Sequence, residues 1–227
     1  MKEAVEVAKH ARPDVLVVQG TDAGGHGLVR GASLITLLPE VCDAIEAHCT
    51  ASPIIDSSKK EEVAKPIILA AGGISEARTA ASALTLGASG LVLGTRLLAT
   101  PQARITAGYQ STILRTTDGG QTTVRTKVYD TLRGTNWAET HNGRAIINQS
   151  YVDSVEKGMC EDQNRKLYQE TMETKGDEGW GEQGRMTTYA GSGVGLIREV
   201  KDVGDVVREI REGVQSILDG ATERAKL

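Results

Sequence analysis

The alternation of apolar and polar positions changes character along the chain. Glu3-Ala4-Val5-Glu6-Val7-Ala8-Lys9-His10-Ala11 predicts a short helix stopped by Pro13. Val15-Leu16-Val17-Val18 is instead a continuous, largely β-branched apolar run, the pattern of a parallel strand covered on both faces. A glycine-crowded loop from Gly20 to Ser33 follows. Leu38, Val41, Cys42 and Ile45 then recur at helical spacing over residues 36–48, with Pro39 near the helix start. The pattern repeats after a polar stretch from Ser52 to Lys65, which is longer than the usual connection of about 2–6 residues. Ile67-Ile68-Leu69-Ala70-Ala71 is a second buried strand, closed by Gly72-Gly73. Ser75 is the expected N-cap of an alanine-rich helix that finishes at Gly87. Gly90-Leu91-Val92-Leu93-Gly94 reads as a third strand, and Thr95 to Leu98 opens the next helix. A helix and three β-α units in succession predict an α/β fold with a parallel sheet.

The texture changes from Pro101. Residues 102–115 read as helix, and Asp118-Gly119-Gly120 within a Thr-rich stretch is a hairpin signal. Residues 130–190 are polar and irregular, with a glycine-rich loop at Gly176 to Gly184. The chain closes on an amphipathic helix whose stripe is Val203, Val206, Val207, Ile210, Val214, Ile217 and Leu218. The division that follows is residues 1–100 as a β/α portion and 101–227 as a mainly helical portion, its last helix packing back on the first.

Composition narrows the function classes. A net charge of −4 gives no electrostatic case for nucleic acid or an anionic membrane. No apolar run approaches the roughly eighteen residues that span a bilayer, and Met1-Lys2-Glu3-Ala4 lacks the apolar core of a secretory signal. Cys42, Cys49 and Cys160 are odd in number and unhelpfully spaced, which suits a reduced, cytoplasmic compartment. The final Ala225-Lys226-Leu227 is a conservative variant of the Ser-Lys-Leu address, and names the peroxisome as the alternative in a eukaryote.

Chemistry concentrates at the strand ends. Gly72-Gly73 and Gly94-Thr95 each lie where a strand opens into a helix, where backbone N–H groups can converge on a phosphate. The plainer reading is that such glycines only make tight turns. Gln19-Gly20-Thr21-Asp22-Ala23-Gly24-Gly25-His26-Gly27 directly follows the first strand. Imidazole titrates near neutrality and suits proton abstraction from an acidic carbon, although a lone histidine is more often structural. His10, His48 and His141 lack comparable settings.

The three motifs Gln19 to His26, Leu69-Ala-Ala-Gly-Gly-Ile74 and Leu86-Gly-Ala-Ser-Gly-Leu-Val-Leu-Gly-Thr-Arg96 together resemble the nitronate monooxygenases, formerly the 2-nitropropane dioxygenases. The similarity is strong over residues 14–99, and Tyr189-Ala-Gly-Ser-Gly-Val-Gly-Leu-Ile197 resembles the family's C-terminal segment. That resemblance implies a partial (β/α)8 TIM-type barrel, with the three strands as the sixth to eighth. It implies an FMN-dependent oxidation of nitronates or nitroalkanes by O2 to carbonyl compounds and nitrite, in a possible homo-oligomer. By the same resemblance His26 is the catalytic base. Gln19 would contact the flavin ring or ribityl chain, and Gly24 would line the cofactor. Gly72, Gly73, Leu93, Gly94 and Thr95 would hold the FMN phosphate. A closed barrel needs eight strands, so the expectation is a chain short of its N-terminal strands, completed by a partner or impaired. The alternatives are a flavin-dependent enoyl reductase of fatty-acid synthesis, which has a similar Gly-Gly-His loop, and an inactive truncated homologue.

Overall fold

The computed structural model describes residues 1–51, 55–56, 61–62 and 65–226. Most of the long Ser52–Lys65 connection, and Leu227 of the C-terminal tripeptide, lie outside the described residues. The first portion runs α1 (Lys2–Ala11), β1 (Val15–Gln19), β2 (Gly25–Leu28) and α2 (Leu34–Ala51). It continues with β3 (Ile55–Asp56), β4 (Glu61–Glu62), β5 (Ile67–Ala71), α3 (Ala77–Thr85), β6 (Gly90–Val92) and α4 (Thr95–Leu98). β1, β5 and β6 form the expected parallel sheet in the order β1-β5-β6, with Val15 beside Ile67 and Leu69 beside Gly90.

Helices cover one face of this sheet. Leu38, Val41 and Ile45 of α2 fall one and two turns apart and pack with Val18, Ile68 and Ala70, all buried. Small side chains at Ala80 and Ala83 let α3 lie close to the same core. Pro39 sits inside α2 and not at its start, because the helix begins earlier, at Leu34. The N-cap of α3 also differs from the sequence expectation. Glu76, and not Ser75, accepts from the Thr79 N–H while the Thr79 hydroxyl takes the Ser75 and Glu76 N–H groups, a reciprocal capping box.

The second portion holds α5 (Ala107–Arg115), α6 (Gly119–Thr122), β7 (Thr123–Thr126), α7 (Val128–Arg133) and β8 (His141–Ile146). α8 (Gln149–Tyr151), which runs on into a π-helical turn, α9 (Glu161–Thr174) and α10 (Val203–Arg224) complete it. It is not simply helical, as the sequence suggests. β7 and β8 form an antiparallel sheet with β2, in the order β2-β8-β7, so the glycine loop after β1 itself contains a strand. Asp118-Gly119-Gly120 does not turn a hairpin. Asp118 adopts the left-handed conformation at φ 49° and starts the single turn α6, and the following strand pairs with β8. α10 lies against α3, and its Val206 and Ile210 join the first core. A second core gathers Ala99, Ile113, Ile146, Ala190, Val194 and Ile197. No described helix is long and apolar enough to cross a membrane.

The sheet's other face is open among the described residues, contrary to the two-sided cover that the apolar runs suggest. Val15, Val17 and Ile67 are 44%, 49% and 52% exposed, and β1 is an edge strand. Each such aliphatic side chain is already half-buried and forgoes roughly half of the about 1.5–3 kcal/mol that full burial contributes, and an open edge of this kind templates pairing. The 227-residue chain should therefore self-associate with rising concentration, and Val15→Thr/Val17→Thr should weaken that association. Sedimentation velocity checks it; a strictly monomeric chain at all concentrations would contradict the open-face argument.

Candidate active site

His26 sits on β2, opposite Gly143 of β8, so the imidazole lies over backbone with no facing side chain. Its Nε2 is 2.7 Å from Oδ1 of Asp130, and the two side chains are only 14% and 7% exposed. Asp130 comes from α7, a helix ended by Gly134 in the left-handed conformation at φ 65°. The turn beyond brings Thr135 Oγ1 to donate to Asp130 Oδ1 at 3.1 Å. Tyr189 donates its hydroxyl to the same oxygen at 3.3 Å. A carboxylate only accepts, so the proton of this contact belongs to Nε2 of His26, and Nδ1 keeps a lone pair when the ring is neutral. Asp130 Oδ2 is buried with no donor among the described residues.

Aromatic rings fix the imidazole further. Trp137 stacks on it with ring centroids 3.9 Å apart and planes 8° from parallel, and Tyr189 tilts against it at 5.3 Å. Burial, and then the charge of Asp130, raise the Tyr189 phenol above its ordinary range, so it stays a neutral donor. His26 and Trp137 line a cavity of about 590 Å³ with Gln19, Arg125 and His141. His141, which has no distinguishing sequence context, is thus on the wall.

A smaller cavity of about 100 Å³ is lined by Gln19, Gly24, Gly72, Gly73, Gly94 and Thr95. Gly72 and Gly73 have φ of 104° and 74°, conformations that side-chain-bearing residues rarely adopt. A Cβ on Gly94 would enter open space, so this glycine keeps the depression clear. The capping box consumes the Ser75 and Glu76 amides, while Gly72, Gly73, Gly94 and Thr95 bring strand-end backbone without bulky side chains to the depression, the kind of surface that admits an anion. A phosphate therefore fits this cradle. Leu93 does not line it; its side chain packs on the first core. Gly24 lines the cradle but also meets the C-terminal segment, where a Cβ would come within 2.5 Å of Ala190 C and Gly191 N.

Gln19 is common to both cavities, and its Nε2 donates to the His26 carbonyl at 3.0 Å. The structure brings His26, Gln19 and the glycines to one end of the sheet. It adds Asp22, Asp130, Trp137 and Tyr189, which sequence reasoning did not reach. Asp22 and Tyr189 fall inside recognised motifs and could have been weighed there. Asp130 and Trp137 sit in a stretch whose only signal is composition.

Comparison with known proteins bears on this geometry. The chain is 46% identical over 219 residues to nitronate monooxygenase npaC of Metarhizium robertsii, covering 95% of this chain and 56% of that protein. It is 37% identical over 200 residues to a nitronate monooxygenase of Neurospora crassa, covering 88% of this chain and 48% of that one. It thus spans about half the length of these curated relatives. Among solved structures, nitroalkane oxidase from Streptomyces ansochromogenes matches with a TM-score of 0.67 at 22% identity, over 97% of this chain and 56% of that one. FabK from Thermotoga maritima matches with a TM-score of 0.66 at 20% identity, over 97% and 60%. Likeness at such identity speaks for the fold alone. The family model for nitronate monooxygenase matches residues 1–213, nearly the whole length, and the chain belongs to the nitronate monooxygenase family.

Proposed function

We propose that this chain forms the cofactor- and base-bearing part of a flavoenzyme that oxidises alkyl nitronates or nitroalkanes with O2, giving a carbonyl compound and nitrite. The observation that carries this reading is the position of Gln19. It links the glycine cradle to the larger cavity where the His26–Asp130 pair and Trp137 lie. A mononucleotide with its phosphate on the cradle would have its other end directed past Gln19 toward His26. In this reading β1, β5 and β6 are strands six to eight of a (β/α)8 barrel, whose flavin site lies at the strand C-termini. Residues 1–100 then supply the FMN-binding part and residues 101–227 the substrate side.

FMN, when bound, supplies the electron acceptor and the route to O2. The chain's own residues do the rest. Gly72, Gly73, Gly94 and Thr95 hold the phosphate through backbone N–H groups, and Gln19 positions the ring end. Asp130 holds the proton on Nε2 of His26, so Nδ1 takes the α-proton of a neutral nitroalkane. A nitronate arrives already ionised and needs only to be positioned. The fold alone does not choose between this chemistry and that of an enoyl reductase, since solved structures carrying either name share it, but the relatives at 46% and 37% identity carry the nitronate monooxygenase name.

His26→Asn should lower turnover of nitroethane by about 10²–10⁴-fold, the usual loss of a general base, while leaving preformed ethyl nitronate far less affected. Asp130→Ala should show the same selectivity to a smaller degree, since Nδ1 survives but the ring loses its fixed tautomer. Steady-state kinetics on the two forms decide both, and equal losses on nitroalkane and nitronate would assign His26 to binding instead. For the cradle, Gly73→Val should weaken FMN binding without unfolding the chain, because a branched residue is strained at φ 74° and would crowd Asp22. Flavin fluorescence titration with a circular-dichroism control tests this; unchanged affinity would move the phosphate elsewhere.

A further inference from the structure

One cation in the antiparallel sheet has no role so far. Arg125 of β7 stands directly opposite Arg144 of β8, and like charges facing each other across a ladder are destabilising. The two arginines are not equivalent. Arg144 feels the charge of Asp22 and donates to Thr21 O at 3.0 Å and Thr123 Oγ1 at 3.1 Å. Arg125 has no carboxylate partner among the described residues. It donates through Nε to Asn142 Oδ1 at 2.9 Å and through Nη2 to Asn142 O at 2.7 Å. Burial, and then the neighbouring Arg144, push its guanidinium below the ordinary range. A half-buried cation beside another cation, with only neutral acceptors, is costly unless an anion completes it from outside.

The surroundings show where that anion would sit. Arg125 lines the 590 Å³ cavity together with Gln19, His26 and Trp137. A Cβ on Gly27 would lie 3.0 Å from Arg125 Nη2 and 3.1 Å from Gln19 Nε2, so two donor groups converge where glycine leaves room. Glu3 and Arg30, of opposite charge, also line the wall. Arg125 and His26 leave opposite faces of the β2-β8-β7 sheet by the alternation of strand side chains, yet both reach this cavity.

We propose that Arg125, with Gln19 beside it, is a binding subsite for a planar oxyanion of the nitronate or carboxylate class, and that it makes the cavity prefer anionic over neutral ligands. A guanidinium fork matches two oxygens on one centre, which an ammonium does not. Assigning that anion to the substrate rests on the nitronate reading; the binding of an anion does not.

The test uses the full chain at concentrations where it is monodisperse, with propionate as the anion and propionamide as its neutral counterpart. The two tryptophans give two indole N–H signals in 15N-resolved spectra. Trp137 lines this cavity and Trp180 lines another, so Trp180 is the internal control. Propionate should move the Trp137 signal saturably and leave Trp180 in place, while propionamide binds more weakly. Arg125→Gln should cost about tenfold in propionate affinity, the effect of losing one charged hydrogen bond, with little change for propionamide. Arg125→Lys, which keeps the charge without the fork, should fall between, and it decides the matter if the glutamine variant loses its dispersed spectrum. No propionate response in the wild-type chain, or equal propionate affinity in wild type and variants, overturns the proposal. Propionate binding without FMN binding would leave the subsite standing and remove the flavoenzyme reading. Flavin-dependent oxidation of ethyl nitronate with an unchanged KM in Arg125→Gln would do the reverse.

Discussion

Asp22 joins three separate parts of the chain, and the site takes its shape from that junction. Its Oδ2 accepts from Ser33 Oγ at 2.8 Å and from the Leu34 N–H at 3.2 Å, which anchors the start of α2. Its carbonyl accepts from the Ser192 N–H at 2.9 Å, and Oδ1 from Ser192 Oγ at 3.3 Å. One residue in the glycine loop thus fixes both the helix that builds the first core and the segment that returns from the C-terminal side. Single hydrogen bonds of this kind contribute about 0.5–1.5 kcal/mol net. Their importance here is geometric, because they act at a place where side chains have been removed to let backbones touch.

The returning segment, residues 189–197, does several things at once. Tyr189 reaches the His26–Asp130 pair. Gly191 donates its N–H to Thr95 Oγ1 at 2.9 Å, and Gly193 accepts from Ser75 Oγ at 3.3 Å. Thr95 and Ser75 both belong to the rim of the cradle. The glycine cradle and the histidine site are therefore coupled through a single stretch of backbone, and its glycines serve close approach to Asp22 and Gly73. Gly24 illustrates the same double duty, since it lines the cradle and also seats Ala190 and Gly191.

The antiparallel sheet separates two kinds of chemistry by simple alternation. On one face of β2 and β8 lies His26 with Asp130, Tyr189 and Trp137, a set that holds an imidazole in one orientation. On the other lie Arg125, Arg144 and Asn142, an arginine-rich face whose only described acidic neighbour is Asp22 beside Arg144. An imidazole and a guanidinium can then border one cavity without the cation sitting against the ring.

The parallel strands and the helices between them were legible in the sequence over residues 1–98, though β2, β3 and β4 were not, because β-branched runs and helical spacing depend on near neighbours in the chain. The three parallel strands, α2 and α3 follow from that periodicity, and the motifs around Gln19, His26, Gly72-Gly73 and Gly94-Thr95 mark one end of the sheet. Local periodicity does not report long-range pairing. β2 and β8 meet across more than a hundred residues, β8 is polar along much of its length, and an isolated HNGRAI reads as loop. Asp130 and Trp137 are likewise ordinary until α7 and the turn after Gly134 carry them onto His26. The Asp118-Gly119-Gly120 signal likewise starts a helical turn, and Thr123–Thr126 pairs with β8, a strand distant from that turn's own flank. Sequence by itself determined which residues could bind or move a proton; tertiary structure alone decided which of them share a cavity, because hydrogen-bond pairing and burial act between residues that are distant along the chain.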